Sequence, residues 1–520
     1  MRFLTQISLS LCCLGAVTQA ALSIDSLPTD EEAEKLGLVV RWRAQSQRST
    51  IGTGKTGVVL CPSKERLETI SVKVGNREVE RIDANQIDRV AVEKLVFAET
   101  RLDKLPKLGM EAARARANQT VKRFATLGRK AIVEEYSQPI TYLITASRDG
   151  SVDGFDAESG KNLWSNSVGK PNLPTYGPGA NDKYVAISNG NTLYVLETQT
   201  GKLVGQRYVK ESLGAAPQPI NSMVYCSTLS NAVLAFDAAD VAASNVTSAR
   251  FSSGVPSPVI LSKNQLFIAW PNKNFIYVAQ AGRSISLWNR LVSQDPFIAS
   301  PQITDDGYIA VSSTGMVYRI NLSRTESIVW RTNLAAQCQK TPLVANGLIL
   351  VAADSGALVA ISEKDGELMW LAEESDVEQA LSVTPTRIYV QRKAGQLATI
   401  DRATGKTIAS VERPFALGLH NDVNDRIILY TDDGSMICLH EPDANYPKLN
   451  HPLAPAEESE TKASSPTDAS PQSETNANES DPFGSNGEMT NEDAPEAGAD
   501  PFGTSTDEPT TNSDDPFGGS

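Results

Sequence analysis

The chain is expected to be all-β: an eight-bladed β-propeller closed by a strand from its own N-terminus, with a small α+β insert and a disordered acidic C-terminal tail. Three observations predict this. A unit of about forty residues recurs eight times between residues 138 and 450. Each unit alternates short apolar runs with Gly- or Asn-containing turns. The last unit lacks its final strand, and a matching segment stands near the N-terminus.

The repeat can be anchored at the end of its third strand. YLITASRDGSVDGFD ends at Asp156, YVAISNGNTLYVLE at Glu197, MVYCSTLSNAVLAFD at Asp237 and LFIAWPNKNFIYVAQ at Gln280. The series continues with YIAVSSTGMVYRIN at Asn321, LILVAADSGALVAIS at Ser362, IYVQRKAGQLATID at Asp401 and IILYTDDGSMICLH at His440. The steps between anchors are 41, 40, 43, 41, 41, 39 and 39 residues. Self-similarity at this period marks a repeat architecture, in which one unit buries its faces only against its neighbours. Four short strands per unit, stacked radially, are the logic of a propeller.

The elements follow in order. Residues 1–20, MRFLTQISLSLCCLGAVTQA, have an early Arg2, an apolar run and a Thr18-Gln19-Ala20 end, the three parts of an export signal cleaved near Ala20. Leu11 and Cys12 precede Cys12 and Cys13 where a lipid-anchoring site wants a small residue. No other apolar stretch approaches the roughly 20 residues of a membrane span, so no transmembrane helix is expected in the mature chain. Residues 21–56 should hold an N-terminal helix and the closing strand: LGLVVRWRAQ, with Trp42, supplies the outer strand that EPDANYPKLNHPL after His440 cannot. Leu38 to Ala44 should therefore pair with the unit containing Ile427 to His440, removing two exposed sheet edges.

Residues 57–137 form the expected insert. ETISVKVGNREVERI alternates around Gly75-Asn76 and predicts a hairpin. Met110, Ala113, Ala117, Val121, Phe124, Gly128 and Ala131 recur at three- and four-residue steps and predict an amphipathic helix lying on the propeller. From Arg101 to Lys130 nine basic residues face Asp103 and Glu111, a net of +7. Arg114, Arg116, Lys122, Arg123, Arg129 and Lys130 are the candidate contacts for an anionic membrane or cell-wall surface.

Trp164, Trp288, Trp330 and Trp370 within residues 138–450, together with Trp42 of the closing strand, are the expected structural tryptophans, packed between adjacent sheets. Gly in the turns DAESGK, ETQTGK, SEKDGE and DRATGK should be left-handed. Cys61, Cys226, Cys338 and Cys438 have neither zinc nor disulfide-framework spacing. They read as buried small apolar residues, with their disulfide state left open. Residues 451–520 are expected to be disordered. From Glu457 onward 16 acids stand against Lys462 alone, a net of −15 in a chain whose total is −14. Three DPFG motifs place Phe483, Phe502 and Phe517 as docking anchors in that tail, and the tail's charge makes it a candidate mask for the basic insert.

The pattern in Gly150 to Trp164, G-x-V-x-x-x-D-A-x-S-G-K-x-x-W, resembles the PQQ repeat of quinoprotein-alcohol-dehydrogenase-like propellers, and it is repeated more weakly at Gly190, Gly356 and Gly395. The whole layout is similar to secreted proteins of planctomycete bacteria. The resemblance implies the fold. Its enzymatic members imply pyrroloquinoline quinone with calcium, held beside a vicinal cysteine pair; here the only adjacent cysteines, Cys12 and Cys13, fall in the signal. Its other members are non-enzymatic, BamB-like envelope proteins.

STIGTGKT, residues 49–56, approaches a phosphate-loop pattern but leads into the strand-like GVVLCP, not a helix. His420, His440 and His451 are scattered, which removes triad and zinc chemistry, and HNDVNDR, from His420 to Arg426, reads as a turn. The expected function is an exported non-catalytic binding or assembly scaffold of the periplasm or cell surface, acting on unknown envelope proteins, with no nucleic-acid partner and no cofactor. The alternative is a PQQ-dependent dehydrogenase-like enzyme, and a third reading is a structural protein docked on a membrane through Arg114 to Lys130.

Overall fold

The computed structural model describes residues 27–46, 55–75, 77–86, 107–243, 246–250, 260–261, 267–280, 282, 285–304, 306–322, 327–373 and 375–451. The expected signal, the acidic tail with Phe483, Phe502 and Phe517, and residues 49–54 of STIGTGKT lie outside the described residues. So does the N-terminal part of the basic run, residues 101–106.

The chain opens with helix α1 (Asp30–Lys35), then β1 (Val39–Gln45), β2 (Lys55–Val74), β3 (Arg77–Asp83), helix α2 (Gly109–Thr126), β4 (Ala131–Ser147), β5 (Ser151–Asp156) and β6 (Asn162–Ser167). Among the described residues the strands form eight antiparallel sheets, seven of four strands and one of five. Six of the four-stranded sheets are meanders of consecutive strands, as in Leu343–Ala345, Leu348–Ala352, Leu358–Ser362 and Leu368–Ala372, and the seventh takes its outer strand from β1.

The second strand of a unit is buried on both faces throughout, as in Met223–Ser227 and Leu348–Ala352, whereas an outer strand such as Leu368–Ala372 buries only its Trp. That difference explains the near-continuous apolar runs of the repeat: a sheet packed on both sides has no polar face to show. Apolar clusters join successive sheets in chain order. One, for example, packs Ile144, Val152 and Trp164 of the first sheet on Val185 and Ile187 of the second. A further cluster joins the last sheet to the first, with Ile428, Met436 and Cys438 against Leu143, Phe155 and Ala157, and Trp42 and Leu60 among them.

β1 pairs antiparallel with Ser435–His440, from Val39 opposite His440 to Gln45 opposite Ser435. The pairing expected for Leu38 to Ala44 is therefore found. Helix α1, ahead of it, is closed by a capping box between Thr29 and Glu32. The same Glu32 carboxylate takes two hydrogen bonds from Arg413, from Nε at 2.6 Å and Nη2 at 2.7 Å. This holds its pKa down at about 2, against an ordinary 4.5.

Because the folded value is the lower one, the pair stabilises the fold fully above pH 4.5 and is lost as pH falls toward 2. Arg413 is about one-third exposed, so Glu32→Gln should cost only about 1–3 kcal/mol at neutral pH. Urea midpoints of the two proteins should converge as the pH is lowered below 4.5.

The five-stranded sheet, ordered β3-β2-β4-β5-β6, contains a finding that the sequence did not announce. β2 and β4 are one long ladder. Its lower part, Lys55–Pro62 against Thr141–Ser147, belongs with β5 and β6; a register shift between Pro62 and Arg66 starts the upper part, Arg66–Val74 against Ala131–Pro139. Residues 57–62, placed at the start of the insert by sequence, thus supply a strand of the first sheet.

The expected hairpin forms, with Val74 opposite Arg77 around Gly75 at φ +62°. α2 packs Ala113, Ala117, Met110 and Val121 on Ile70, Val72 and Ile82 of the upper ladder and β3. It therefore lies on the insert's own sheet, where the sequence placed it on the propeller. It also ends sooner than its apolar stripe implied: Gly128 takes φ +69°, and Ala131 packs in the same cluster from the start of β4.

Candidate interaction surface

The recurring Trp has a defined seat. Trp164 donates from Nε1 to the carbonyl of Thr198 at 2.9 Å, Trp330 to Glu363 at 3.1 Å and Trp370 to Arg402 at 2.8 Å. Each acceptor is the residue just after the next unit's anchor. Each indole then lies over the glycine three positions further on, Gly201, Gly366 and Gly405, where a β-carbon would run into the ring. These glycines have φ between +68° and +75°. One residue type thus meets two needs, a left-handed turn and a bare surface for an aromatic ring.

Trp42 on β1 does the same to the first unit, donating to Ala157 O at 2.9 Å and lying over Gly160. Where the ring is missing the size relation inverts. Gly205 stands at the Trp position of the second unit, and a β-carbon there would meet Val241, which stands at the glycine position of the third. Trp288 departs from the pattern: the sequence after the next anchor, LSRTE, contains no glycine, and its ring packs on Phe267 at 5.0 Å.

Beside Trp42 lies a buried charged group. Arg426 is 1% exposed. Its Nε and Nη2 donate to the two carboxylate oxygens of Glu158 at 3.1 and 3.2 Å, and Nη1 donates to Ala444 O at 2.9 Å. Nη1 also stands 3.5 Å from Asp425, whose pKa burial pushes up. Arg41 of β1 donates to Glu158 O at 3.3 Å. HNDVNDR is a turn, as expected: the Asn421 side chain accepts from the Val423 and Asn424 amides and donates to Arg426 O. His440, beside it, is pushed down to about 4 by burial and by the charge of Arg426.

This cluster, joining residues 268 positions apart, escaped the sequence reading because neither Glu158 nor Arg426 breaks the turn patterns that hold them. Its groups are consumed by one another, so its role is structural.

Among the described residues Cys61, Cys226, Cys338 and Cys438 are buried and unpaired, in four separate apolar clusters, and no two of them lie together. Among the described residues no three His, Cys, Asp or Glu side chains gather to hold a metal ion, and no helix is long and apolar enough to cross a membrane.

What the described surface offers is apolar edges. The outer strand Leu368–Ala372 shows Leu368, Met369 and Leu371 half-exposed; Ile328 and Val329 occupy the same place one sheet earlier, and Ile408 one sheet later. Each of these strands ends its sheet, so among the described residues one side of its backbone has no ladder partner. On the insert, Arg114 pairs with Glu135 at 2.8 Å and Arg116 with Glu80 at 3.0 Å. Lys122, Arg123, Arg129 and Lys130 are exposed.

A family model described as outer membrane protein assembly factor BamB matches residues 148–244 and 286–429. Curated relatives include BamB of Yersinia pestis, 24% identical over 238 residues (40% of this chain, 59% of that protein). Another is BamB of Moranella endobia (strain PCIT), 26% identical over 155 residues (26% of this chain, 39% of that protein). The chain thus spans less than two thirds of the length of each. A solved structure of BamB from Moraxella catarrhalis is 16% identical, with a TM-score of 0.47, covering 57% of this chain and 91% of that one. With its recurring Trp and turn glycines, the chain resembles PQQ-repeat, BamB-like β-propeller proteins.

Proposed function

We propose that the protein is an exported, non-catalytic scaffold of the cell envelope, whose eight sheets act as the blades of one ring closed by β1. Its outer edges would hold segments of other envelope polypeptides in extended form. The apolar outer strands carry this reading. Ile328, Val329, Leu368, Met369, Leu371 and Ile408 form a belt over three successive sheets, and an unpaired strand edge is a template for a further strand. The curated relatives are named as assembly factors for outer membrane proteins, which suits a client that is itself a β-strand polypeptide awaiting pairing.

The test is binding of a fluorescent peptide of alternating apolar and polar residues to the full chain. A lysine at an edge blocks strand addition, so Met369→Lys and Ile408→Lys should each weaken binding about tenfold, the scale of one buried apolar side chain. Because both positions are half-exposed, thermal stability should not move. Unchanged peptide affinity in both variants would remove the edge from the mechanism.

A further inference from the structure

The insert carries a second, independent surface at the end where α2 turns into β4. Gly128 N donates to Ala125 O and Arg129 N to Phe124 O, both at 3.0 Å, so the turn is fixed by its own backbone. Leu127 and Ile132 bracket it and are 65% and 50% exposed, although the insert has an apolar cluster in which to bury them. Strand alternation explains Ile132: Ala131 and Val133 face α2 in that cluster, so Ile132 points to the opposite face. Apolar residues therefore stand on both sides of a turn containing Arg129 and Lys130.

Lys122 and Arg123, in the last turns of α2, add to the charge, and Arg77 begins β3 at the same level, because Val74 faces both Arg77 and Ala131. Among the described residues none of Lys122, Arg123, Arg129 and Lys130 pairs with a carboxylate, in contrast to Arg114 and Arg116. Nearby Glu134 is already taken by Lys73 at 2.5 Å.

We propose that this tip docks on an anionic phospholipid bilayer, with Leu127 and Ile132 entering the headgroup boundary and Lys122, Arg123, Arg129 and Lys130 lying among the phosphates. Two apolar residues exposed within a ring of unpaired cations are the composition of an interfacial anchor. A charged wall polymer would satisfy the cations but offers no apolar phase for Leu127 and Ile132, which is why the bilayer is the better occupant. The inference does not depend on the strand-edge reading, because the two surfaces use different residues and different probes.

The experiment is co-sedimentation of the full chain with vesicles of phosphatidylcholine alone and of phosphatidylcholine mixed with phosphatidylglycerol. Soluble polyglycerol phosphate serves as a polyanion without an apolar phase. The wild type should bind the mixed vesicles, release with salt, and ignore the neutral ones. Each cation near an anionic surface is worth about fivefold in partitioning. Changing Lys122, Arg123, Arg129 and Lys130 together to Gln should therefore reduce binding more than a hundredfold. Leu127→Ser with Ile132→Ser should weaken vesicle binding and leave polymer binding as it was. Arg114→Gln serves as the matched control and should bind vesicles like the wild type. Undiminished vesicle binding by the four-Gln variant would overturn the proposal. So would serine variants that bind vesicles as the wild type does, which would assign the cations to a polymer. Circular dichroism melts of each variant confirm that the insert is folded.

Discussion

Trp42→Ala should lower the unfolding free energy by about 3–5 kcal/mol, the range for truncating a large aromatic side chain in a core. The ring is 7% exposed, and it lies among Leu60, Phe155, Ile428 and Cys438, which come from both ends of the chain. Its loss removes the hydrogen bond to Ala157 O and leaves a cavity over Gly160 that the left-handed turn cannot fill. Because β1 is held to Ser435–His440 by backbone pairing on one side and to the first unit through Trp42, the N-terminal strand should also become accessible to protease. Gly160→Ala approaches the same contact from below. The new β-carbon would fall within 2.5 Å of the indole, at φ +69°, so it should destabilise in the same direction by overpacking and backbone strain. Urea midpoints and limited proteolysis read both variants. A loss under about 1 kcal/mol for Trp42→Ala, with β1 still protected, would mean that the seam is held by the ladder alone.

The repeat was legible because its turns are written in residue types that have few other uses. Gly160, Gly201, Gly366 and Gly405 could be placed in left-handed turns from DAESGK, ETQTGK, SEKDGE and DRATGK, and the recurrence of Trp at one offset from the anchors implied packing between sheets. The seat itself was not legible, since it pairs a ring in one unit with a glycine in the next, and only a register between units reveals that Gly205 against Val241 is the same contact with the sizes reversed. The long β2–β4 ladder was hidden for a related reason. Residues 57–62 and 66–74 carry one continuous β-type pattern, and nothing local says that the first half belongs to a repeat and the second to an insert. Charge on α2 was visible as a sum, but its division into paired Arg114 and Arg116 and unpaired Lys122, Arg123, Arg129 and Lys130 depends on where Glu80 and Glu135 fall across the sheet.

Arg426→Met should be as costly as the loss of Trp42, about 3–5 kcal/mol, for a different reason. The guanidinium is 1% exposed and makes a two-pronged contact with Glu158, itself at 15%. Methionine fills much of the volume but leaves the Glu158 carboxylate with only Arg41, at 3.9 Å, and removes the charge beside Asp425. An uncompensated buried carboxylate is the expensive product, not the missing attraction. The double variant Arg426→Met with Glu158→Gln should therefore recover a substantial part of the loss, because the amide carries no charge to strand. Chemical denaturation of wild type, single and double variants at neutral pH decides the matter. If the double variant is no more stable than Arg426→Met at neutral pH, the cost lies in the lost Ala444 contact and packing of the arginine, and charge compensation is not what joins the last unit to the first.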